Sequence, residues 1–327
     1  MAEKATSSES PASGAGITAA VAALLANLGI AVAKFIGFLV TGASSMLAEA
    51  FHSVADTGNQ TMLLFGSHLA RKEADHKHPF GHGRVRYFSA FLVAVLLFTL
   101  GSLLSLYEGY LKLRNPHELE SPGVALTILV VALVLEGLSL RTAVRKANPL
   151  RGEQSWWSFI RTTKQPELAV VLLEDSAAEL GLSMAFVGVG LAAITGDPLY
   201  DTIGTLGIGV LLAVVAIVLG IEMYSLLLGE AASPQEQATI CDTIASTPGV
   251  ARLTQLRTMH LGPEELLIVA QVELNPDLSA DDAARVIDDA QARLHTATPS
   301  ARIVYLEPEL PASADSIPHA PTRTPEP

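Results

Sequence analysis

The chain has 327 residues, of which 50% are hydrophobic and only 17% charged, a balance too apolar for an ordinary soluble domain and one that points to membrane insertion. Its formal net charge is −12, with much of the acid beyond Ala231, which argues against nucleic acid as a partner. A single cysteine, Cys241, excludes an intrachain disulfide and a thiolate cluster, so a metal site must be built from His, Asp or Glu.

The opening "MAEKATSSESPASGAG" is small and polar and lacks the basic start of a cleaved signal; residues 1–16 read as a retained, disordered tail. A bilayer core needs about 20 apolar residues per helix. Six stretches qualify: Ile17 to Val40, Ser44 to Leu69, Tyr87 to Leu111, Val124 to Val144, Leu168 to Ile194 and Tyr200 to Leu228. The second-to-third connection carries Arg71, Lys72, Lys77, Arg84 and Arg86, and the fourth-to-fifth connection is also basic. The connections after the first and fifth spans carry no basic residue, and the third-to-fourth carries only Lys112 and Arg114. The positive-inside rule then puts both termini in the cytoplasm of a multi-pass protein, expected in the plasma membrane.

From Ser233 the pattern changes to a small αββαβ domain. "SPQEQATICDTIAS" reads as a Ser-capped helix, "VARLTQLRTMHLG" and "ELLIVAQVELNP" as two strands, the second a more buried run. "SADDAARVIDDAQARLHTATP" is an amphipathic helix and "ARIVYLEPE" a last strand. The predicted domains are a membrane bundle over 17–230, an αββαβ domain of ferredoxin-like, metallochaperone-like type over 231–310, and a disordered tail over 311–327.

Polar groups interrupt two of the spans. In "SSMLAEAFHSVADTGNQ", His52 and Asp56 are four apart, so both lie on one helix face and can share a small cation through an imidazole nitrogen and a carboxylate oxygen. An aspartate at mid-bilayer costs about 2.5–3.5 kcal/mol on insertion scales, so it requires a partner or a ligand. The fifth span adds Glu174, Asp175 and Glu179. The competing reading is that these groups only hydrogen-bond helix to helix; the clustering of acids around one histidine favours a cation pathway. Lys34, near a helix end, reads as a snorkelling or structural cation without a transport role.

Taken together, "SSMLAEAFHSVADTGNQ", "DHKHPFGHGR", "TKQPELAVVLLEDSAAELGL", the six spans and the αββαβ tail resemble the cation diffusion facilitator family of the zinc-transporter type, over nearly all of Ile17 to Glu309. "RYFSAFLVAVLLFTLGSLLSLYEGYLKL" and "VVLLEDSAA" look most like the branch that contains the ninth mammalian zinc transporter. The resemblance implies a homodimeric secondary transporter, not an enzyme, with no prosthetic group, that exports a divalent cation in exchange for protons. Zinc leads, with manganese, iron(II) and cobalt as alternatives. His52 and Asp56 match the family's second-span ligands. In the fifth span, alignment puts Glu174 at the first ligand position and Ala178 at the second; a shift by one residue gives Asp175 and Glu179 instead. Asp75, His78 and His82 match a loop metal site of some members. The histidines of a third site, in the tail, are replaced by Thr254, Val272 and Leu306, so the tail is expected to dimerise without metal. The alternative is a membrane-anchored sensor or interaction protein whose intramembrane acids are structural. An intramembrane zinc protease is disfavoured because "HELE" lacks the second histidine of its motif.

Overall fold

The computed structural model describes residues 12–116 and 118–309, which divide into two units, one ending at Leu228 and one beginning at Gly229. The expected C-terminal tail and the residues before Ala12 lie outside the described range. Residues 12–16, assigned to the N-terminal tail from composition, instead open the first helix.

The first unit is helical. Helices α1 (Ala12–Thr41) and α2 (Ser44–Ala70) form a pair, joined by a tight turn at Gly42, whose φ of 64° suits a residue without Cβ. A rod over Val85–Arg114 follows, made of α3 (Val85–Leu96), a π-helical segment (Leu97–Leu103) and α4 (Leu104–Arg114). Then come α5 (Pro122–Arg151), the short α6 (Trp156–Thr162), α7 (Pro166–Thr195) and α8 (Leu199–Leu228). Among the described residues, four helices are long and apolar enough to cross a membrane: the Val85–Arg114 rod, α5, α7 and α8. The six expected spans are therefore not all supported by length and composition. Helix α1 offers a shorter apolar run, Asn27–Thr41, and α2 has the length but carries Glu49, His52, Asp56 and Asn59, whose polarity dilutes its apolar character.

Buried Met46, Tyr87, Leu97, Leu129, Leu182, Ile208, Leu212 and Met223 form the bundle's core. Helix α2 is its central element. All of Ser44–Ala50 is buried, whereas from Phe51 onward exposed and buried positions alternate. The bundle is thus closed around α2 at the Ser44 end and looser toward the end that carries the loop 71–84. The rod runs along α8 through small residues: a Cβ on Gly109 would come within 2.7 Å of Leu206, and one on Gly209 within 2.7 Å of Leu106. The Ser102 hydroxyl donates to the Gly209 carbonyl at 2.9 Å, in the π-helical segment.

The second unit has the expected order: α9 (Pro234–Ala245), β1 (Val250–Gly262), β2 (Glu265–Leu274), α10 (Ala280–Ala297) and β3 (Ala301–Glu309). Strand β2 is central, antiparallel to β1 and parallel to β3, with Ala270 opposite both Leu256 and Leu306. A full capping box, Ser233 with Glu236, starts α9, and Ser279 caps α10. Strand β2 is the more buried of the two first strands, as expected, but its burial alternates. Leu266, Ile268, Ala270, Val272 and Leu274 are buried while Val269 is 38% exposed, because the hydrophobic core with Ile240, Ile244, Ala290 and Leu294 lies on one face of the sheet.

Candidate metal centre

Glu49, His52, Asp56 and Asn59 follow one another at steps of three, four and three, which on a 3.6-residue helix gives a single stripe. His52 Nδ1 lies 3.5 Å from Asp56 Oδ1, with side-chain exposures of 1% and 9%. Asn59 Nδ2 donates to Glu174 Oε1 on α7 at 2.8 Å, and the carboxyls of Asp56 and Glu174 are within hydrogen-bonding reach of each other. Neither ring nitrogen of His52, nor Asp56 Oδ1, nor Asn59 Oδ1 has a hydrogen-bond partner among the described residues. Buried polar atoms left in this way each cost roughly 1–3 kcal/mol, and a cation would relieve the acceptors among them, one of the two His52 nitrogens included, by taking their lone pairs.

The fifth-span acids separate. Glu174 is buried and faces α2. Asp175, about 100° further round the helix, accepts from Ser139 Oγ of α5 at 2.9 Å. Glu179 lies against α5 as well, 3.6 Å from where a Cβ on Gly137 would stand. The structure therefore groups His52, Asp56 and Glu174, and turns Asp175 and Glu179 toward α5. Ala178 is buried and brings no ligand atom.

Several charged groups that the sequence reading gave no site role surround this centre. Lys34 is fully buried and does not snorkel: its ammonium donates to Glu49 Oε2 at 3.1 Å and to Ser53 Oγ at 2.9 Å. Glu136 of α5 is a buried acid. Lys112, which the sequence places in a loop, is buried and donates to Asp201 Oδ2 at 2.7 Å and to the Gly42 carbonyl at 3.0 Å. Asp201 also accepts from the amide and hydroxyl of Ser44, at 2.9 and 3.1 Å, and from the amide (3.3 Å) and hydroxyl of Ser45. One carboxylate thus caps the start of α2, where the helix dipole favours negative charge, and ties the rod to it. The signal for Glu49 was present in its spacing from His52. Glu136 and Asp201 are single acids in apolar runs, and nothing in their spacing distinguishes them.

In the loop, Asp75 Oδ1 lies 3.3 Å from His78 Nδ1 and Oδ2 lies 3.8 Å from His82 Nε2. The three ligand atoms lie within 4.8 Å of one another, the one such group among the described residues. The amides of His78 and Lys77 donate to Asp75 at 2.7 and 2.9 Å. The His78 amide is the main cause that holds this carboxyl down at about 2, so it is ionised at neutral pH.

Residues 20–228 match the family model described as the cation efflux transmembrane domain, and residues 232–309 match that of the cation efflux protein cytoplasmic domain. The proton-coupled zinc antiporter SLC30A9, mitochondrial, of Mus musculus is 35% identical over 245 residues, 74% of this chain and 43% of that protein. Metal tolerance protein C4 of Arabidopsis thaliana is 27% identical over 259 residues, 79% of this chain and 57% of that protein. The cation-efflux pump FieF of Escherichia coli O127:H6 is 26% identical over 287 residues, 88% of this chain and 90% of that protein. The chain thus spans less than half the length of the SLC30A9 relative. Its first unit is a multi-pass integral membrane domain, and the family is one of transporters rather than enzymes. With both units matched and the bundle model covering well over half of the chain, the protein belongs to the cation efflux family.

Proposed function

We propose that the protein is a secondary transporter that exports a divalent cation, zinc foremost, from the cytoplasm in exchange for protons. The observation that carries this is the buried group His52, Asp56 and Glu174, with lone pairs unclaimed, inside an otherwise apolar bundle. An imidazole and two carboxylates suit a borderline divalent ion, with manganese, iron(II) and cobalt as competitors. The relatives, named as a proton-coupled zinc antiporter and a cation-efflux pump, support the same reading. Exchange follows from chemistry: each ligand must be deprotonated to bind metal, so metal affinity falls as proton occupancy rises, and histidine, whose ordinary pKa is about 6.5, is suited to this range.

In this reading the bundle that begins with α1 has six spans and ends near residue 230, and the αββαβ domain 231–310 joins two copies into a homodimer. The basic loops support cytoplasmic termini; a plasma-membrane location is the expectation carried with this reading, and the relative SLC30A9 is named as mitochondrial. Asp75, His78 and His82 form a second, loop-borne cation site.

The test is purified protein in vesicles that hold a zinc dye and a pH dye. Wild type should take up zinc with opposite proton movement, and His52→Ala and Asp56→Ala should abolish both. Wild-type flux in the two variants removes the assignment of the site; absence of any divalent flux in folded wild type removes the transporter reading in favour of a membrane-anchored sensor.

A further inference from the structure

His52, Asp56 and Glu174 leave a four-coordinate cation one ligand short. Asn59 has given its amide to Glu174, and Ala178, one turn beyond Glu174 on the same face of α7, has nothing to give. Two helix registers identify what lies at that level. Asn59 meets Glu174 at 2.8 Å, and Glu49 Oε1 would stand 2.6 Å from a Cβ on Gly181, so α2 and α7 run antiparallel with His52 and Ser53 opposite Ala178. Across the other interface Ser139 meets Asp175, and Gly137 lies against Glu179, so α5 is also antiparallel to α7 and brings Glu136 to the same layer.

Glu136 is 8% exposed, and no described residue hydrogen-bonds its carboxyl. It lies within electrostatic reach of Asp56 and Glu174 on one side and of Asp175 and Glu179 on the other. Of the two lysines buried among the described residues, Lys34 is engaged by Glu49 and Ser53 and Lys112 by Asp201. A long acid buried among other acids is costly unless a cation offsets it, and in the same layer the accepting ring nitrogen of His52 has a lone pair that no hydrogen bond takes.

We propose that Glu136 of α5 is the fourth ligand of the transported cation, completing a site with His52, Asp56 and Glu174. This rests on the transporter reading above and adds a third helix to the site. In the conformation described, the four groups do not close to single-ion distances, which only the loop trio does among the described residues. The two-methylene stem of a glutamate provides the reach through rotamer change.

The experiment is zinc titration by calorimetry of the full chain in detergent, with the loop trio removed by Asp75→Ala, His78→Ala and His82→Ala, and with vesicle flux alongside. Glu136→Gln should weaken zinc binding about 10-fold or more, while Asp175→Asn and Glu179→Gln leave it within twofold. Adding Ala178→Asp to Glu136→Gln should restore affinity, because it returns an acid to the same layer from α7; a merely structural role for Glu136 gives no such rescue. If Glu136→Gln fails to yield a monodisperse protein, Glu136→Asp, which keeps the charge and withdraws the oxygens by one methylene, should weaken binding. Wild-type affinity and flux in Glu136→Gln, or in Glu136→Asp where that is the variant read, overturns the fourth ligand and leaves the transporter reading intact. Loss without rescue by Ala178→Asp overturns it as well. Absence of zinc binding and flux in the parent protein brings down both.

Discussion

Lys34 and Glu49 stand 3.1 Å apart with side-chain exposures of 1% and 0%, one turn from His52. Taking two charges out of water is costly, and a pair in this situation recovers that cost only while both members are present. Lys34→Met alone strands Glu49, whose second oxygen already has no hydrogen-bond partner, and should lower stability by about 3–5 kcal/mol. The double change Lys34→Met with Glu49→Leu should recover most of it, since a well-packed apolar pair is often as stable as the ions it replaces. Denaturant unfolding in mixed micelles measures both; a single variant as stable as wild type would show that the pair contributes nothing. The pair also shows what a sequence hides at this scale. His52 and Asp56 were legible because i,i+4 spacing is a property of one helix. The partner of Lys34, and the choice between Glu174 and Asp175, depend on how helices are rotated against one another, and a 100° step per residue makes that choice invisible to spacing alone.

Between elements, α7 and α8 cross backbone to backbone. A Cβ on Gly188 would lie 2.9 Å from the Tyr200 carbonyl and 3.3 Å from Asp201 Cα, and one on Gly204 would lie 3.1 Å from the Met184 carbonyl. These obstacles are backbone, which cannot turn aside, and Asp201 sits at the same crossing with the start of α2 and Lys112 in its grip. Gly188→Ala should therefore destabilise by roughly 1–3 kcal/mol, as overpacking does, and loosen the Lys112 to Asp201 tie. Gly190→Ala, two residues on, meets only a Leu126 methyl at 4.0 Å and should be neutral or gain up to about 1 kcal/mol from helix propensity. Equal effects of the two substitutions on thermal unfolding would contradict this account of the crossing. Helix positions were readable from apolar length except that α5 runs on past Val144 to Arg151 and the short α6 was not foreseen, and the turn at Gly42 was readable from its "TGAS" context. The π-helical segment Leu97–Leu103 was not, because its extra residue per turn answers the packing of Gly101 and Ser102 on α8 and not a local motif.

At the scale of the whole chain, the change of composition near Ser233 corresponds to two units with separate hydrophobic cores, so each has its own basis for cooperative unfolding. They differ in what metal can do to them. In the second unit the positions where the family resemblance expected histidines are otherwise engaged: Thr254 Oγ1 donates to the Gln271 carbonyl at 2.9 Å, and Val272 and Leu306 are packed in the core. His295 Nδ1 is taken up by the Ala301 carbonyl at 2.6 Å, and no trio of ligands forms in this unit among the described residues. A ligand that binds only the native state stabilises by RT ln(1 + [L]/Kd), about 2.7 kcal/mol at 100 times Kd, and it stabilises only the cooperative unit that holds it. Both tryptophans, Trp156 and Trp157, are in the first unit, so fluorescence follows the bundle while calorimetry follows both units. Zinc at saturating concentration should raise the fluorescence-detected transition by several degrees and leave the remaining calorimetric transition in place, and a chelator should reverse the shift. Movement of the second transition with zinc would mean that the αββαβ unit holds metal through residues such as His260 and His295.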